Sequence, residues 1–264
     1  MSSVRMPAVS GLFYTSDAPM LKSELEAFLS GAAQRYDTLL PFSLKALIVP
    51  HAGYSYSGIF AAAAYNLVAS NAAISRVVLL GPSHRVPLRG MALSSSDFFR
   101  TPLGDVAIDK SDMGQLLQLP GVTVDDQAHL HEHSLEVQIP FLQAVLGCVE
   151  ILPVVVGLTP SHEVAALLAE VWGGNETLIV VSSDLSHYHE YSEAGRIDRE
   201  TSKDILNLST HIHGEQACGC YSVNGLLYEI KRRGLAAKEL VVANSGDTAG
   251  DHQRVVGYGA YAFG

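Results

Sequence analysis

Four short stretches of the chain are almost continuously hydrophobic rather than hydrophobic at every second position. They cover residues 44–50, 76–80, 149–156 and 178–182. Strands that are covered on both faces, as in parallel sheets, have this continuous pattern, whereas half-buried strands alternate. We therefore predict four buried strands of one parallel sheet.

Longer stretches with helical character lie between these strands. Residues 133–146 have apolar residues at helical spacing, although Pro140 must kink or delay a helix there. Residues 58–70 are rich in alanine, and residues 161–172 and 192–208 are amphipathic. We predict one helix over each of these four stretches.

The alternation of strands and helices predicts the fold class. It is typical of a doubly wound, mainly parallel sheet flanked by helices, and the length suits a single domain over residues 1–264. Two segments depart from the alternation. Residues 91–109 predict a hairpin around residues 101–104, and residues 241–263 predict a C-terminal pair of strands around a glycine-rich turn. The predicted fold is a single-domain α/β fold with two antiparallel additions.

Charge and cysteine content narrow the classes of function. The chain has 27 acidic and 17 basic residues, whereas nucleic-acid binding demands clustered basic residues. No apolar stretch reaches the roughly 18 residues of a membrane span, and residues 1–7 lack the apolar core of a signal peptide. Three cysteines are too few for a disulfide framework, so we expect a reducing, cytoplasmic compartment. Cys218 and Cys220 could be metal ligands, but a C-x-C pair without a matching second pair is a weak signal, so we interpret them as small buried apolar residues.

Histidine and acidic residues follow directly after several predicted strands. His51 follows the first strand, His84 the second, Asp184 and His187 the fourth, and Asp247 the first strand of the C-terminal pair. Ligands of open parallel sheets bind outside the carboxyl ends of the strands, so we expect these side chains to share one crevice. Two histidines and one carboxylate form the facial pattern of non-haem Fe(II) sites, which predicts His51, His84 and Asp247 as metal ligands.

Each of these residues also has an interpretation without a metal. His51 and His84 follow proline-bearing turns and could be hydrogen-bonded turn residues, and Asp247 could belong to an ordinary Ser-Gly-Asp turn. Asp184 and His187 are three residues apart, the spacing of one helix face, which suits an acid/base pair. The alternative for this pair is a helix cap followed by a histidine that is satisfied by other partners.

A second histidine-rich segment lies in the middle of the chain. His129, His131 and His133 would share one side of an extended strand, whereas a helix would place His133 and Glu136 on one face. We predict that Glu132 and His133 line the same crevice as catalytic residues, and a solvated helix start is the alternative. The chain has no G-x-G-x-x-G, Walker, G-x-S-x-G or H-E-x-x-H motif, so a nucleotide site is not predicted.

Seven motifs occur in order from Arg5 to the C-terminus. They are R-M-P-A-V-S-G-L-F-Y (5–14), P-H-A-G-Y-S-Y-S-G (50–58), L-G-P-S-H (80–84), T-P-L-G (101–104), E-H-S-L-E-V-Q-I-P-F-L (132–142), S-S-D-L-S-H-Y (182–188) and A-N-S-G-D-T (243–248). In these motifs the chain resembles the Memo-like family (AmmeMemoRadiSam system protein B).

This resemblance implies a fold shared with class III (LigB-like) extradiol ring-cleaving dioxygenases. Their site holds one Fe(II) through two histidines and a carboxylate, and a further histidine acts as acid/base. By motif, His51 and His84 would be metal ligands and His187 the acid/base residue. Some members of the family carry a cysteine in the C-terminal motif, where the aligned residue here is Thr248, so Asp247 or water would complete the metal coordination.

Two hypotheses for the function follow. The first is a non-haem iron protein with redox or dioxygenase-type chemistry on a small oxygenated substrate, with Fe(II) as the expected cofactor and copper or zinc as alternatives. The second is a non-catalytic binding module that uses the same crevice for a peptide or a small anionic ligand. A hydrolase with metal-activated water is a third hypothesis. The resemblance also implies a shared pathway with a radical-SAM protein and an AMMECR-type protein.

Overall fold

Parallel strands form the centre of the fold in this computed structural model, which describes residues 2–37, 39–69, 71 and 73–264. The strands in these residues are β1 (Val4–Arg5), β2 (Ala46–Val49), β3 (Arg76–Pro82), β4 (Met91–Leu93), β5 (Phe98–Thr101), β6 (Gly104–Ile108), β7 (Val122–Val124), β8 (Glu150–Val156), β9 (Thr177–Ser182), β10 (His187–His189), β11 (Ala237–Asn244) and β12 (Val255–Phe263). They pair in the order β1-β5-β6-β8-β3-β9-β2-β12-β10, with β11 beside β12 and β4 beside β7 and β8. From β6 to β2 all neighbours are parallel, and β12 is antiparallel to β2.

Helices cover both faces of this sheet. In the described part of the chain they are α1 (Ala18–Arg35), α2 (Tyr54–Ala69), α3 (Met113–Leu116), α4 (Asp126–Leu130), α5 (Ile139–Leu146), α6 (Ser161–Glu170), α7 (Tyr191–Leu206) and α8 (Cys220–Arg233). Helices α1, α2 and α5 pack on one face, and α6 and α8 pack on the other. Helix α7 lies against β11 and β12. This arrangement is a doubly wound α/β fold.

Alternate residues of the central strands belong to two different hydrophobic cores. Leu47 and Val49 of β2 pack with α1, α2 and α5, whereas Ala46 and Ile48 pack with α6 and α8. Both sets are fully buried. Side chains of a strand point alternately to opposite faces, and here both faces are covered. The continuous hydrophobicity of the predicted strands follows from this geometry.

The four predicted strands are confirmed as β2, β3, β8 and β9, with each end within two residues of the predicted one. The predicted hairpin is confirmed by the antiparallel β5 and β6, and the C-terminal pair is confirmed by the antiparallel β11 and β12. Strand β4 is not part of that hairpin, because it pairs with β7 and β8.

The four predicted helices are confirmed as α2, α5, α6 and α7, although α2 begins earlier and its predicted end at Ser70 lies outside the described residues. Pro140 delays the helix as predicted, since a 3-10 turn at Glu136–Gln138 comes first and α5 begins at Ile139 with the proline in its first turn. Helices α1 and α8 were not among the predicted elements.

The carboxyl ends of three parallel strands lie side by side, and we call this place the convergent edge. Val49 of β2 is the register partner of Ser182 of β9, and Leu80 of β3 is the register partner of Val181. The residues that follow β2, β3 and β9 therefore leave the sheet next to one another.

In the part of the chain that is described, no helix combines the length and apolar composition that crossing a bilayer requires.

Candidate metal centre

A cavity of about 830 Å³ opens at the convergent edge. Its walls include five residues that the sequence predicts for the site, namely His51, His84, His133, Asp184 and His187. The first two follow β2 and β3, and the last two follow β9. The structure thus brings five predicted side chains to one cavity.

Three of the imidazole rings contact one another. The ring centroids of His51 and His84 are 5.2 Å apart, and those of His51 and His133 are 5.5 Å apart. The rings of His84 and His133 are stacked with centroids 4.7 Å apart. Rings this close can direct nitrogen lone pairs towards one point.

A cysteine completes this group of possible donors. Cys218 lies in the loop before α8, and its Sγ is 3.3 Å from Nε2 of His51. One donor atom from each of His51, His84 and Cys218 lies within 4.8 Å of the other two, so this set could hold a metal ion. The interpretation of Cys218 as an apolar core residue is therefore corrected, whereas Cys220 is buried in the core as predicted.

Glu132 orients His84 rather than facing the cavity. Its Oε1 accepts hydrogen bonds from the amides of His133 and Ser134, and it lies 2.9 Å from Nδ1 of His84. Burial alone would raise the pKa of Glu132, but the hydrogen bonds from His84 and from backbone amides lower it to about 2. An ionised carboxylate only accepts, so Nδ1 of His84 carries a proton, and in the neutral imidazole Nε2 then keeps its lone pair. This arrangement is a carboxylate–histidine pair of the kind that aims metal ligands.

A second set of possible donors consists of His84, Glu132 and His133. It is less suited to an ion, because the carboxylate of Glu132 is 1% exposed and already accepts several hydrogen bonds. Nδ1 of His133 is buried and without a hydrogen-bond partner in the described residues. We therefore take Glu132 as the residue that orients His84, and His133 as a neighbour of the donor set.

Asp184 fixes the backbone that carries His51. Its carboxylate accepts a hydrogen bond from the His51 amide at 2.7 Å and another from the Ala52 amide. Burial raises the pKa of Asp184 to about 7. No hydrogen bond joins Asp184 to His187 in the described residues, so the two line the cavity without forming the predicted acid/base pair. The segment between them is not helical.

His187 stands on the wall formed by β10. Burial lowers its pKa, and a hydrogen bond to the backbone of Leu185 opposes this shift. The next residue, Tyr188, has a φ of 63°, in the left-handed region that non-glycine residues rarely adopt. The Arg254 guanidinium lies 5.1 Å from the centre of the Tyr188 ring. Tyr188 also lines the cavity.

An N-terminal segment closes the opposite side of the cavity. Glu136 is fully buried and accepts hydrogen bonds from the amides of Ala8 and Val9, from the Tyr14 hydroxyl and from Arg5. These bonds hold residues 5–14 against the 132–142 segment. Phe13, carried by the same segment, packs on His133 with ring centroids 4.8 Å apart. The motif at residues 5–14 therefore builds a wall of the site.

Burial favours the uncharged forms of His51, His133 and Cys218 in the absence of a cation. It lowers the pKa of His51 well below its usual value, with a further lowering from His84, His133 and His187. It also lowers the pKa of His133 to about 4 and raises the pKa of the Cys218 thiol. Neutral imidazole is the form that binds metal, and a coordinating thiol loses its proton to the ion's field.

Asp247 is a predicted ligand that lies outside the cavity. Its carboxylate accepts hydrogen bonds from the Tyr191 hydroxyl at 2.6 Å and from the Asn244 amide at 2.9 Å, which closes the 3-10 turn Ser245–Asp247. Strand β12 separates this turn from β2, because β11 pairs with one edge of β12 and β2 with the other. The hydroxyl of Thr248 donates to the Tyr56 carbonyl, so it does not replace Asp247 at the site.

The remaining histidines of the middle segment point elsewhere. His129 is buried, with Nε2 2.9 Å from the Ala92 carbonyl, and burial lowers its pKa to about 4. His131 is exposed. The segment forms helix α4 and a turn instead of a strand, so the three histidines do not share one side.

Comparisons with known proteins agree on one family. A family model described as "Memo-like protein" matches residues 5–262. A MEMO1 family protein of Aquifex aeolicus is 38% identical over 269 residues, which cover 97% of each chain. A MEMO1 family protein of Sulfolobus acidocaldarius is 34% identical over 283 residues and covers 99% of each chain.

A solved structure shares the fold at low sequence identity. The crystal structure of the uncharacterized protein JW3007 from Escherichia coli K12 superposes with a TM-score of 0.50 at 13% identity. The match covers 84% of this chain and 100% of that one. It supports the α/β fold alone.

Proposed function

The chain belongs to the Memo-like family, and we propose that its cavity is a mononuclear metal site for dioxygenase-type oxidation of a small oxygenated substrate. The observation that carries this proposal is the donor set of His51, His84 and Cys218, whose ligand atoms lie within 4.8 Å of one another.

The donor set fits one transition-metal ion. Bonds of ~2.1 Å to nitrogen and ~2.3 Å to sulfur place neighbouring donors roughly 3.3–3.6 Å apart around a tetrahedral ion. The 3.3 Å between His51 Nε2 and Cys218 Sγ agrees with that spacing, and because no separation in the set exceeds 4.8 Å, a shift of at most about 1 Å would bring the remaining donors to it. Imidazole and thiolate suit iron, copper and zinc, whereas magnesium and calcium prefer oxygen.

We propose Fe(II) as the ion, with copper and zinc as the competitors that share its donors. When bound, the ion would polarise the substrate and activate dioxygen, since three protein donors leave coordination positions open. Oxidation is preferred over hydrolysis because iron, unlike zinc, changes its redox state. The substrate enters through the open mouth of the cavity.

The protein's own residues would bind the substrate and move protons. His187 lines the cavity without belonging to the donor set, so we assign it the transfer of a proton between substrate and solvent. His133, stacked on His84 and covered by Phe13, restricts the rotation of His84 and excludes water from that side. Asp184 holds the backbone of residues 51 and 52 in place.

One observation favours a second function, a non-catalytic module that binds a small anion or an acidic peptide. Arg85 lines the cavity and forms no ion pair with any residue in the described part of the chain. A cation without a carboxylate partner at the mouth could bind an anionic ligand. The acidic side chain of Glu215 lines the same cavity and weakens this argument.

Metal analysis of anaerobically purified protein tests the proposal. We expect about one iron per chain after loading with Fe(II), and its loss in the His51→Ala, His84→Ala double variant and in Cys218→Ser. Cys148→Ser is the matched control, because Cys148 is exposed and outside the cavity, and it should retain the metal. Metal content that is equal in all variants would contradict the site.

Oxygen uptake separates the two functions. The iron-loaded protein is incubated with a panel of small phenols and other oxygenated compounds while dissolved oxygen is recorded. Uptake that depends on a substrate and is lost in the double variant supports the enzyme. Binding of the compounds without uptake, by a protein that holds no metal, supports the module.

A further inference from the structure

Three buried polar side chains stand in line behind His51. Oγ of Ser182 lies 2.9 Å from Nδ1 of His51. The amide nitrogen of Gln138 donates to the Ser182 Oγ at 2.8 Å, and the Tyr65 hydroxyl donates to Oε1 of Gln138 at 2.8 Å. Each of the three residues is at most 1% exposed. They form a chain of hydrogen bonds that no water reaches.

Two backbone carbonyls fix the direction of every bond in this chain. The carbonyl of Pro50 lies 2.9 Å from the Gln138 side chain and can only accept, so the NH₂ group of Gln138 must face it. The carbonyl of Ser134 lies 2.6 Å from Ser182 Oγ and likewise can only accept. Ser182 has one hydroxyl proton, and it is committed to Ser134.

The remaining hydrogen bond of Ser182 determines which nitrogen of His51 carries the proton. With its proton given to Ser134 and one lone pair taken by Gln138, the hydroxyl oxygen can only accept from the imidazole. A neutral imidazole carries a single proton on one of its two nitrogens. That proton must therefore lie on Nδ1 of His51, and Nε2 keeps its lone pair, which in the metal-free protein can accept from the Cys218 thiol 3.3 Å away.

We propose that Ser182, held by Gln138 and the Ser134 carbonyl, is a positioning residue that keeps His51 in its Nδ1-protonated tautomer. The lone pair on Nε2 then faces the cavity, 3.3 Å from Cys218 Sγ. The tautomer itself does not depend on the proposed function. Only the role of the Nε2 lone pair, which is to bind the metal ion, rests on it.

A neutral chain of this kind suits the burial of His51. His84, whose side chain is 28% exposed, has its Nδ1 held by the ionised Glu132. His51 is 2% exposed, and an ionised carboxylate bonded to its Nδ1 would carry a large desolvation cost at that depth. The nearby Asp184, whose Oδ2 lies 3.9 Å from His51 Nε2, accepts hydrogen bonds from the amides of His51 and Ala52 instead. A serine hydroxyl orients the ring without adding charge. The two histidines thus reach the same tautomer through different partners.

The tautomer of His51 is measurable in metal-free protein. We would record long-range ¹H–¹⁵N correlation spectra of the uniformly ¹⁵N-labelled protein in EDTA and assign His51 with a His51→Gln variant. The expected wild-type spectrum has a protonated Nδ1 and an unprotonated Nε2 at His51. A spectrum with the proton on Nε2 would overturn the inference, whether or not the protein binds metal.

Variants then test the role of each member of the chain. Ser182→Ala removes the hydroxyl acceptor and leaves only the backbone of residue 182 beside His51, so we expect a mixture of tautomers and a Zn²⁺ affinity lowered by roughly 10–100-fold in competition with a chromophoric chelator. Ser182→Thr keeps the hydroxyl and should restore the wild-type tautomer. Tyr65→Phe is the conservative control at the far end of the chain, because the Pro50 carbonyl still orients Gln138.

The outcomes separate this inference from the proposed function. A wild-type protein with the Nδ1 tautomer but no affinity for Zn²⁺, Fe²⁺ or Cu⁺ contradicts the metal site and leaves the tautomer assignment intact. A wild-type tautomer that survives in Ser182→Ala contradicts the role of Ser182, even where metal binds. If Ser182→Ala fails to fold, the wild-type and Tyr65→Phe spectra still decide the tautomer.

Discussion

The convergent edge, where β2, β3 and β9 end side by side, differs from the end of β11, where Asp247 lies. We call the second place the C-terminal edge. At the convergent edge the His51 amide and the Asp184 carboxylate are 2.7 Å apart, because these residues follow the paired parallel strands β2 and β9. At the C-terminal edge β12 intervenes, and Asp247 closes its own turn. A polar residue after a strand joins a shared site only where its strand has parallel neighbours.

The carboxylates at the two edges also differ in burial and in the number of hydrogen bonds that they accept. Glu132 and Glu136 at the convergent edge are almost completely buried, and each accepts several hydrogen bonds. Asp247 is exposed, with one side-chain and one backbone donor. Buried carboxylates depend on their partners for stability, whereas exposed ones can exchange them for water. Substitutions that remove a hydrogen-bond partner should therefore lower the free energy of unfolding more at the convergent edge than at the C-terminal edge.

The largest effect on stability is expected from Arg5→Ala. This change leaves Glu136 buried without its cation, and breaking a buried pair in this way costs about 3–5 kcal/mol. Urea unfolding followed by circular dichroism gives the free energy of unfolding. Arg100→Ala is the control, because the Arg100–Asp105 pair is partly exposed and should cost no more than about 1 kcal/mol. Equal losses in the two variants would contradict the difference between buried and exposed pairs.

A comparison of His51→Ala with Asp247→Asn tests which edge binds metal. The first variant removes a proposed donor, so we expect its Zn²⁺ affinity to fall by more than ~100-fold, beyond the usual effect of residues that only support a ligand. The second variant should bind Zn²⁺ as the wild type does, since Asp247 lies outside the cavity. Chelator competition measures both. A loss of affinity in Asp247→Asn would return that carboxylate to the site.

The C-terminal edge has a buried carboxyl of its own, Asp198 of α7. Burial raises its pKa to about 6, whereas an unfolded Asp titrates near 3.9. Between these two pH values the native state binds more protons than the unfolded state. The stabilisation of the fold by protonated Asp198 is therefore complete below about pH 4 and is lost as the pH rises through 6.

Asp198→Asn should remove that pH dependence. The amide oxygen can still accept from the Ser186 amide, and no charge is buried at neutral pH. We expect the variant to be more stable than the wild type by roughly 2–3 kcal/mol at pH 7, and the difference to vanish near pH 4. Unfolding curves at pH 4, 5, 6 and 7 measure it. A difference that is constant with pH would show that Asp198 is not the titrating group.

The smallest effect is expected from Tyr191→Phe. The change removes the hydroxyl that donates to Asp247, a partner that is exposed and can bind water instead. The free energy of unfolding should fall by about 0.5–1.5 kcal/mol or less. Tyr14→Phe is the matched change at the convergent edge, where the lost donor leaves part of buried Glu136 unsatisfied and costs more, about 1–3 kcal/mol. A reversed order would contradict the comparison of the two edges.

Much of the fold is encoded locally and could be predicted. Continuous apolar runs identified β2, β3, β8 and β9 because both faces of these strands are covered. Pro140 indicated the delayed start of α5 because proline lacks an amide hydrogen and is tolerated only in the first turn of a helix. Helix α1 was missed, since its apolar positions are interrupted by polar and small residues and only three of its side chains are fully buried.

The site was predictable only in part. His51, His84 and Asp184 follow parallel strands, so strand order alone places them together. Cys218 lies 167 residues from His51 and precedes a helix, so no local pattern reports their contact. Its spacing from Cys220 suggested a core residue. Asp247 was predicted from its position after a strand, and the intervening β12 could not be foreseen from that position.

Other residues of the site belong to motifs that indicated the family but did not indicate what each side chain does. Glu136, Gln138 and Ser182 all lie within the quoted motifs, yet a sequence does not state which atoms they contact. The structure shows Glu136 anchoring the N-terminal segment, and Gln138 and Ser182 hydrogen-bonded behind His51.

The donors at positions 51, 84 and 218 lie far apart in the order of synthesis. A ribosome that has released the chain only as far as α6 has exposed two of them, and the third follows 57 residues after that helix begins. Any ion that needs all three can be retained only by a finished molecule, so loading would be post-translational. Fragments that end before residue 218 should remain empty even when their N-terminal half is intact.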